Sequence, residues 1–113
     1  MGVQISTRSA GDVTIVDVAG KITLGEGSSA LRDKVKELSA TGVKKMLINL
    51  GDVNYIDSSG IGELVSAFTT VSNSGGALKL LNLTKRVHDL LQITKLYTVF
   101  EVFDSEDAAL KSF

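Results

Sequence analysis

The chain has no cysteine and no proline in 113 residues, and a single histidine. Without cysteine there is no disulfide, no thiol nucleophile and no thiolate metal site. Strong charge of either sign is missing too. Lysine and arginine number 12 against 13 acidic residues, and the net charge of −1 offers no field to nucleic acid or to an anionic membrane. No apolar run approaches the ~18 residues of a membrane span. Met1-Gly2-Val3-Gln4 lacks the charged and apolar regions of a signal peptide, and Gly2 followed by Ser6 is a chance-level match to a myristoylation pattern. No histidine–carboxylate cluster has metal-ligand spacing. The expectation is a cytoplasmic protein with no cofactor, no metal, no direct nucleic acid and no membrane contact.

What is present is ordinary for a soluble globular domain: 43% hydrophobic and 22% charged residues. Such a length suits one domain over 1–113, able to bury roughly two-thirds of its unfolded surface. Val3 to Thr7 and Val13 to Val18 read as an antiparallel pair turning at Ala10-Gly11-Asp12. Leu31, Val35 and Leu38 mark a helical face that stops at Gly42, where a left-handed glycine is expected. Met46 to Leu50 is an apolar run, as in a strand covered on both faces. Ile61, Leu64, Val65, Phe68 and Val71 have helical spacing and end at Gly75-Gly76. Leu78 to Leu81 reads as a strand, Val87, Leu90, Leu91 and Thr94 as a short helix, and Val99 to Phe103 as a last strand. Asp104-Ser105 then caps a terminal helix ending near Phe113. Alternation of this kind implies an α/β fold: an opening hairpin, then βα units, in a mixed sheet flanked by helices.

One segment breaks the local rules. Tyr55-Ile56-Asp57-Ser58-Ser59-Gly60-Ile61-Gly62 opens the central helix, yet its first turns carry two glycines, each costing roughly 1 kcal/mol against alanine. Such breaks mark functional sites. With Asp57 at the N-cap, its carboxylate accepts from first-turn N–H groups, and Ile56 and Ile61 fall at the two positions of a hydrophobic staple. Ser58 is then the first helical residue, its hydroxyl outward beyond the carboxyl end of a strand, where open α/β sheets bind ligands. Gly60 and Gly62 remove side chains that would hold another backbone away. The competing reading takes Asp57, Ser58 and Ser59 as capping residues and nothing more.

Enzyme readings fail on inventory. A nucleophile elbow needs glycine two residues either side of the serine, and Ile56 and Asp57 stand where those glycines would precede Ser58 and Ser59. His88, between Val87 and Asp89, reads as a solvated face residue. Gly25-Glu26-Gly27-Ser28-Ser29-Ala30 matches the dinucleotide pattern G-x-G-x-x-A, with Asp52 at a ribose-like distance onward. The strand before it belongs to a hairpin, however, and βα units are too few. A glycine-rich loop capped by Ser28 or Ser29 fits better. Carboxylates such as Glu26 with Asp33, or Asp104 with Asp107, sit in helix first turns, where the helix dipole favours them.

Asp57-Ser58-Ser59-Gly60-Ile61-Gly62, preceded by Lys45 to Val53, resembles the hallmark of the STAS domain, specifically of bacterial anti-sigma factor antagonists. The resemblance covers nearly the whole chain, including Gly20-Lys21-Ile22 after the hairpin and Gly75-Gly76 before a strand. It implies a partner switch. The first serine of the signature, here Ser58, is phosphorylated by an anti-sigma factor that is itself an ATP-dependent serine kinase. The unphosphorylated antagonist binds that factor and frees sigma, and a serine phosphatase resets it. The implied contact surface is Asp57, Ser59, Gly60, Ile61, Gly62, Thr23 and Gly25. Many antagonists carry aspartate where this chain has Thr23, a departure that bears on the partner contact and not on the fold. Two alternatives are a STAS module serving a signalling scaffold or transporter-associated ATPase, and a small nucleotide-binding protein using Gly25 to Ala30.

Overall fold

Alternating apolar positions in the first two strands set the sheet's two faces, and the rest of the chain is built on that division. The computed structural model describes residues 2–113. Strands β1 (Val3–Ala10) and β2 (Val13–Ile22) pair antiparallel through the turn at Gly11. Helix α1 (Glu26–Ala40), strand β3 (Lys45–Ile56), helix α2 (Ser58–Asn73), strand β4 (Ala77–Leu81) and helix α3 (Lys85–Ile93) follow. A 3₁₀ turn (Tyr97–Val99), strand β5 (Val102–Phe103) and helix α4 (Glu106–Lys111) complete the chain. The sheet has five strands in the order β1-β2-β3-β4-β5. Strands β2 to β5 run parallel, as the helix–strand alternation requires.

Val16, Ile48 and Leu80 form one row across the sheet, and Ile15, Leu47 and Lys79 form the neighbouring row on the opposite face. The first face carries the main core, closed by Leu31 and Val35 of α1, Ile61, Leu64, Ala67 and Val71 of α2, and Val87 and Leu91 of α3. The other face holds a smaller cluster in which Val13, Ile15, Leu47 and Leu81 meet Ala109 of α4. Gly42 and Gly75, with φ of 92° and 86°, turn the chain out of α1 and α2 as left-handed residues past the helix ends.

Three expectations are revised. The strand expected over Met46 to Leu50 runs on to Ile56, because β2 keeps pairing with it past two register shifts, between Asp17 and Ala19 and between Gly20 and Lys21. The strand expected over Val99 to Phe103 shrinks to Val102–Phe103. Its first residues serve the core instead: Phe100 is buried, with its ring edge-on to Phe68 at 5.5 Å. The cap expected from Ser28 or Ser29 is absent. Gly25 holds the N-cap of α1, with no side-chain cap, and both serines lie inside the helix.

Candidate functional site

The end of β3 and the start of α2 meet at Asp57, which is the N-cap of α2. Its Oδ1 accepts from the Gly60 N–H at 2.9 Å, satisfying one of the free donors of the first turn. Ile56 and Ile61 flank the cap at the staple positions, and both are buried in the main core. Each such buried side chain contributes ~1.5–3 kcal/mol, against ~1 kcal/mol for the cap. Packing therefore anchors the helix, and the cap fixes where its first turn begins. Ser58 is the first helical residue and is exposed, while Ser59 is half-buried. Its hydroxyl stands at the positive end of a 16-residue helix, a place that welcomes an added anion.

The two glycines have different causes. A Cβ on Gly60 would lie 2.3 Å from the Ile22 carbonyl oxygen and 2.6 Å from Ile56 Cγ1. Gly60 is therefore demanded by the chain's own packing: α2 begins against the end of β2. Gly62 has nothing within 4 Å of the same construction and is exposed. One helical turn on from Ser58, it shares that residue's face and leaves it bare. Gly60 and Ile61 are buried, so of the expected contact residues Asp57, Ser59, Gly62, Thr23 and Gly25 offer surface, beside the expected phosphoacceptor Ser58.

Thr23 and Gly25 come to the site through the loop after β2. The Leu24 N–H donates to Asp57 Oδ2 at 3.2 Å, so one carboxylate holds both the α2 turn and this loop. The Thr23 carbonyl accepts from Ser28 N–H at 3.0 Å. Gly25 turns into α1 with φ 96° and ψ −118°, a combination suited to glycine. Gly27 packs where a Cβ would be 2.5 Å from the Lys21 carbonyl oxygen. Its role is helix-to-strand packing, and the dinucleotide-like spacing of Gly25 to Ala30 has that structural cause.

Other candidates fall elsewhere. Asp52 lines a cleft of about 210 Å³ with Gln4, Ser6, Asp17 and Asn49 on the uncovered part of the sheet. There the Arg8 guanidinium, with help from Asn49, holds the Asp17 carboxyl below the usual carboxylate range. His88 sits on α3 with its ring against Tyr97 at 5.0 Å. Among the described residues no group of three or more histidine, aspartate or glutamate side chains is placed to hold a metal ion. No helix there is long and apolar enough to cross a membrane.

Sequence reasoning missed three features of this end of the molecule. Leu24 is 80% exposed beside the Asp57 clamp. Tyr55, shortly before the cap, carries the Arg86 guanidinium 4.5 Å over its ring. Arg32 of α1 pairs with the buried Glu63 of α2 at 2.9 Å and ties the two helices together. None has a sequence signature, since each depends on residues distant in the chain.

The STAS domain family model matches residues 4–109. The anti-sigma-B factor antagonist of Bacillus subtilis (strain 168) is 33% identical over 102 residues, covering 90% of this chain and 92% of that relative. The solved structure of an anti-sigma factor antagonist from Mycobacterium paratuberculosis superposes with a TM-score of 0.84 at 18% identity, covering 98% of this chain and 93% of that one. The Bacillus cell fate determinant SpoIIAA, solved in its phosphorylated form, gives a TM-score of 0.74 at 16% identity, covering 96% and 98%. Both structural likenesses speak for the fold.

Proposed function

The chain belongs to the STAS domain family, and from that premise we propose that it is an anti-sigma factor antagonist switched by phosphorylation of Ser58. In this reading the unphosphorylated chain binds an anti-sigma factor that is an ATP-dependent serine kinase, and sigma is released. The kinase transfers the γ-phosphoryl group of ATP to Ser58 Oγ, ADP leaves, and the modified chain lets go. A serine phosphatase restores the hydroxyl. The chain itself acts as a regulator and not as an enzyme. The observation that carries this reading is the exposed Ser58 at the first position of α2, held there by the Asp57 cap. The antagonist relative in Bacillus subtilis supports it.

The physics of the switch follows from that position. Phosphorylation adds about −1.5 to −2 charges. At a helix N-terminus that charge is favoured by ~0.3–1 kcal/mol, so the fold has no reason to change. The cost falls on the complex, where a dianion is buried against a partner surface shaped for a hydroxyl. Asp52 lines the cleft with Asp17. Asp57 is the adjacent carboxylate, and both its oxygens already serve backbone N–H groups.

The test has two stages. Immobilised chain captures its partner from a native lysate, and mass spectrometry identifies it as an ATP-binding kinase. The purified kinase, chain and ATP are then incubated and the modified residue is mapped. Modification at Ser58, lost in Ser58→Ala, is expected. Modification at Ser59, or undiminished labelling of Ser58→Ala, overturns the assignment.

A further inference from the structure

An exposed leucine is by itself unremarkable, because folded surfaces are largely apolar. Leu24 and Ile93 are the two strongly exposed aliphatic side chains among the described residues, at 80% and 76%. Their settings differ. Ile93 ends α3, far along the chain from the signature. Leu24 sits in a loop that the site itself restrains. Its N–H is held by Asp57 Oδ2 at 3.2 Å, the Thr23 carbonyl beside it accepts from Ser28, and Gly25 fixes the turn into α1. Asp57 is also the cap that places Ser58. The fold thus spends a hydrogen bond of its switch residue's neighbour on aiming an apolar side chain at solvent.

We propose that Leu24 is an apolar anchor of the surface covered by the anti-sigma kinase, a specificity-determining contact continuous with Ser58 through the Asp57 clamp. The inference rests on the reading of Ser58 as the switch and adds to it a contact on a second element. An anchor whose backbone is already restrained loses less freedom on association than one on a free loop. The partner feature that fits is an apolar pocket lying beside the position of the transferred phosphoryl group. Gly62, one turn on from Ser58, leaves the face of α2 bare beside the switch residue.

The experiment measures calorimetric Kd values of the full chain for the purified kinase identified by capture. Wild type is compared with Leu24→Ala, Leu24→Met, Ile93→Ala and Ser58→Glu, each with a thermal melt. Leu24→Ala is expected to weaken binding at least tenfold, Leu24→Met less than threefold, and Ile93→Ala not measurably, all with unchanged melting. Leu24→Ala binding like wild type, while Ser58→Glu loses at least tenfold, overturns this inference and leaves the switch standing. A loss in Leu24→Ala matched by an equal loss in Ile93→Ala also overturns it. A wild-type chain that binds no ATP-dependent kinase overturns both.

Discussion

Adding one methyl group at Gly60 or at Gly62 separates the two uses of glycine in the signature. Alanine at Gly62 gains helix propensity of ~0.5–1 kcal/mol and meets nothing within 4 Å. For a domain of this size that raises Tm by roughly 2–5 °C. At Gly60 the same methyl lands 2.3 Å from the Ile22 carbonyl oxygen, 2.6 Å from Ile56 Cγ1 and 3.0 Å from Ile22 Cγ2. The first of these is backbone and cannot rotate away, so α2 must lift from β2. Overpacking of this kind costs ~1–3 kcal/mol, against which the propensity gain offsets at most ~1. Gly60→Ala is therefore destabilised by about 1–2 kcal/mol and Gly62→Ala is stabilised, a gap near ~2 kcal/mol. Urea denaturation with a shared m-value measures it. Gly60→Ala as stable as wild type, or Gly62→Ala less stable, refutes the reasoning. Partner binding should run the other way: Gly62→Leu, folded and stable, blocks the complex by bulk, with an effect insensitive to salt.

Asp57→Ala leaves the Gly60 and Leu24 N–H groups without their acceptor, and a loss of ~1–2 kcal/mol is expected in denaturant titration, with Asp57→Asn losing less. Loss of exchange protection confined to Gly60, with Leu24 unchanged, would contradict the shared clamp. Arg8→Met removes the guanidinium that holds the Asp17 and Glu106 carboxyls below their ordinary values. Depressed carboxyl values contribute stability that is present above the unfolded values near ~4 and lost as pH falls through the folded ones. The pairs are partly exposed, so the variant should be weaker by only ~0.5–1 kcal/mol near neutral pH. That gap should narrow as pH falls below the unfolded values near ~4, and one that widens there contradicts the account. Lys79→Ala strips a buried ammonium from the Ser112 carbonyl and from the Phe113 ring 4.7 Å away, and should cost ~1–3 kcal/mol in a thermal melt. An unchanged melt would show that α4 is not held through Lys79.

The division between what the residues announce and what they conceal follows the range of the interactions. Period-3.6 spacing in α2, the glycines after α1 and α2, and the apolar run of β3 are local signals, and each element lies where its signal stands. The Asp57 cap and the Ile56–Ile61 staple are likewise within one turn of each other. Failures arise where distant chain decides. Gly60 reads as making room for another backbone, and the backbone it meets is the chain's own end of β2, 38 residues earlier at Ile22, which the helix sequence does not show. Ser28 and Ser29 read as caps because serine is a good one, yet α1 begins before them at Glu26, with Gly25 as its N-cap and Gly27 packed against Lys21. The extension of β3 to Ile56 depends on pairing with β2 that survives two register shifts. Leu24 was hidden for a related reason: an isolated apolar residue in a loop has no period, and its hydrogen bond to Asp57 spans 33 positions.

The central claim is that one hydroxyl, not the fold, carries the regulation. It is tested most directly with chain bearing phosphoserine at position 58, measured against unmodified chain for affinity to the captured kinase and for thermal stability. The account predicts at least a hundredfold loss of affinity, about 2.7 kcal/mol, with stability within ~0.5 kcal/mol of the unmodified protein. Equal affinity of the two forms, or a loss accompanied by unfolding, would contradict it.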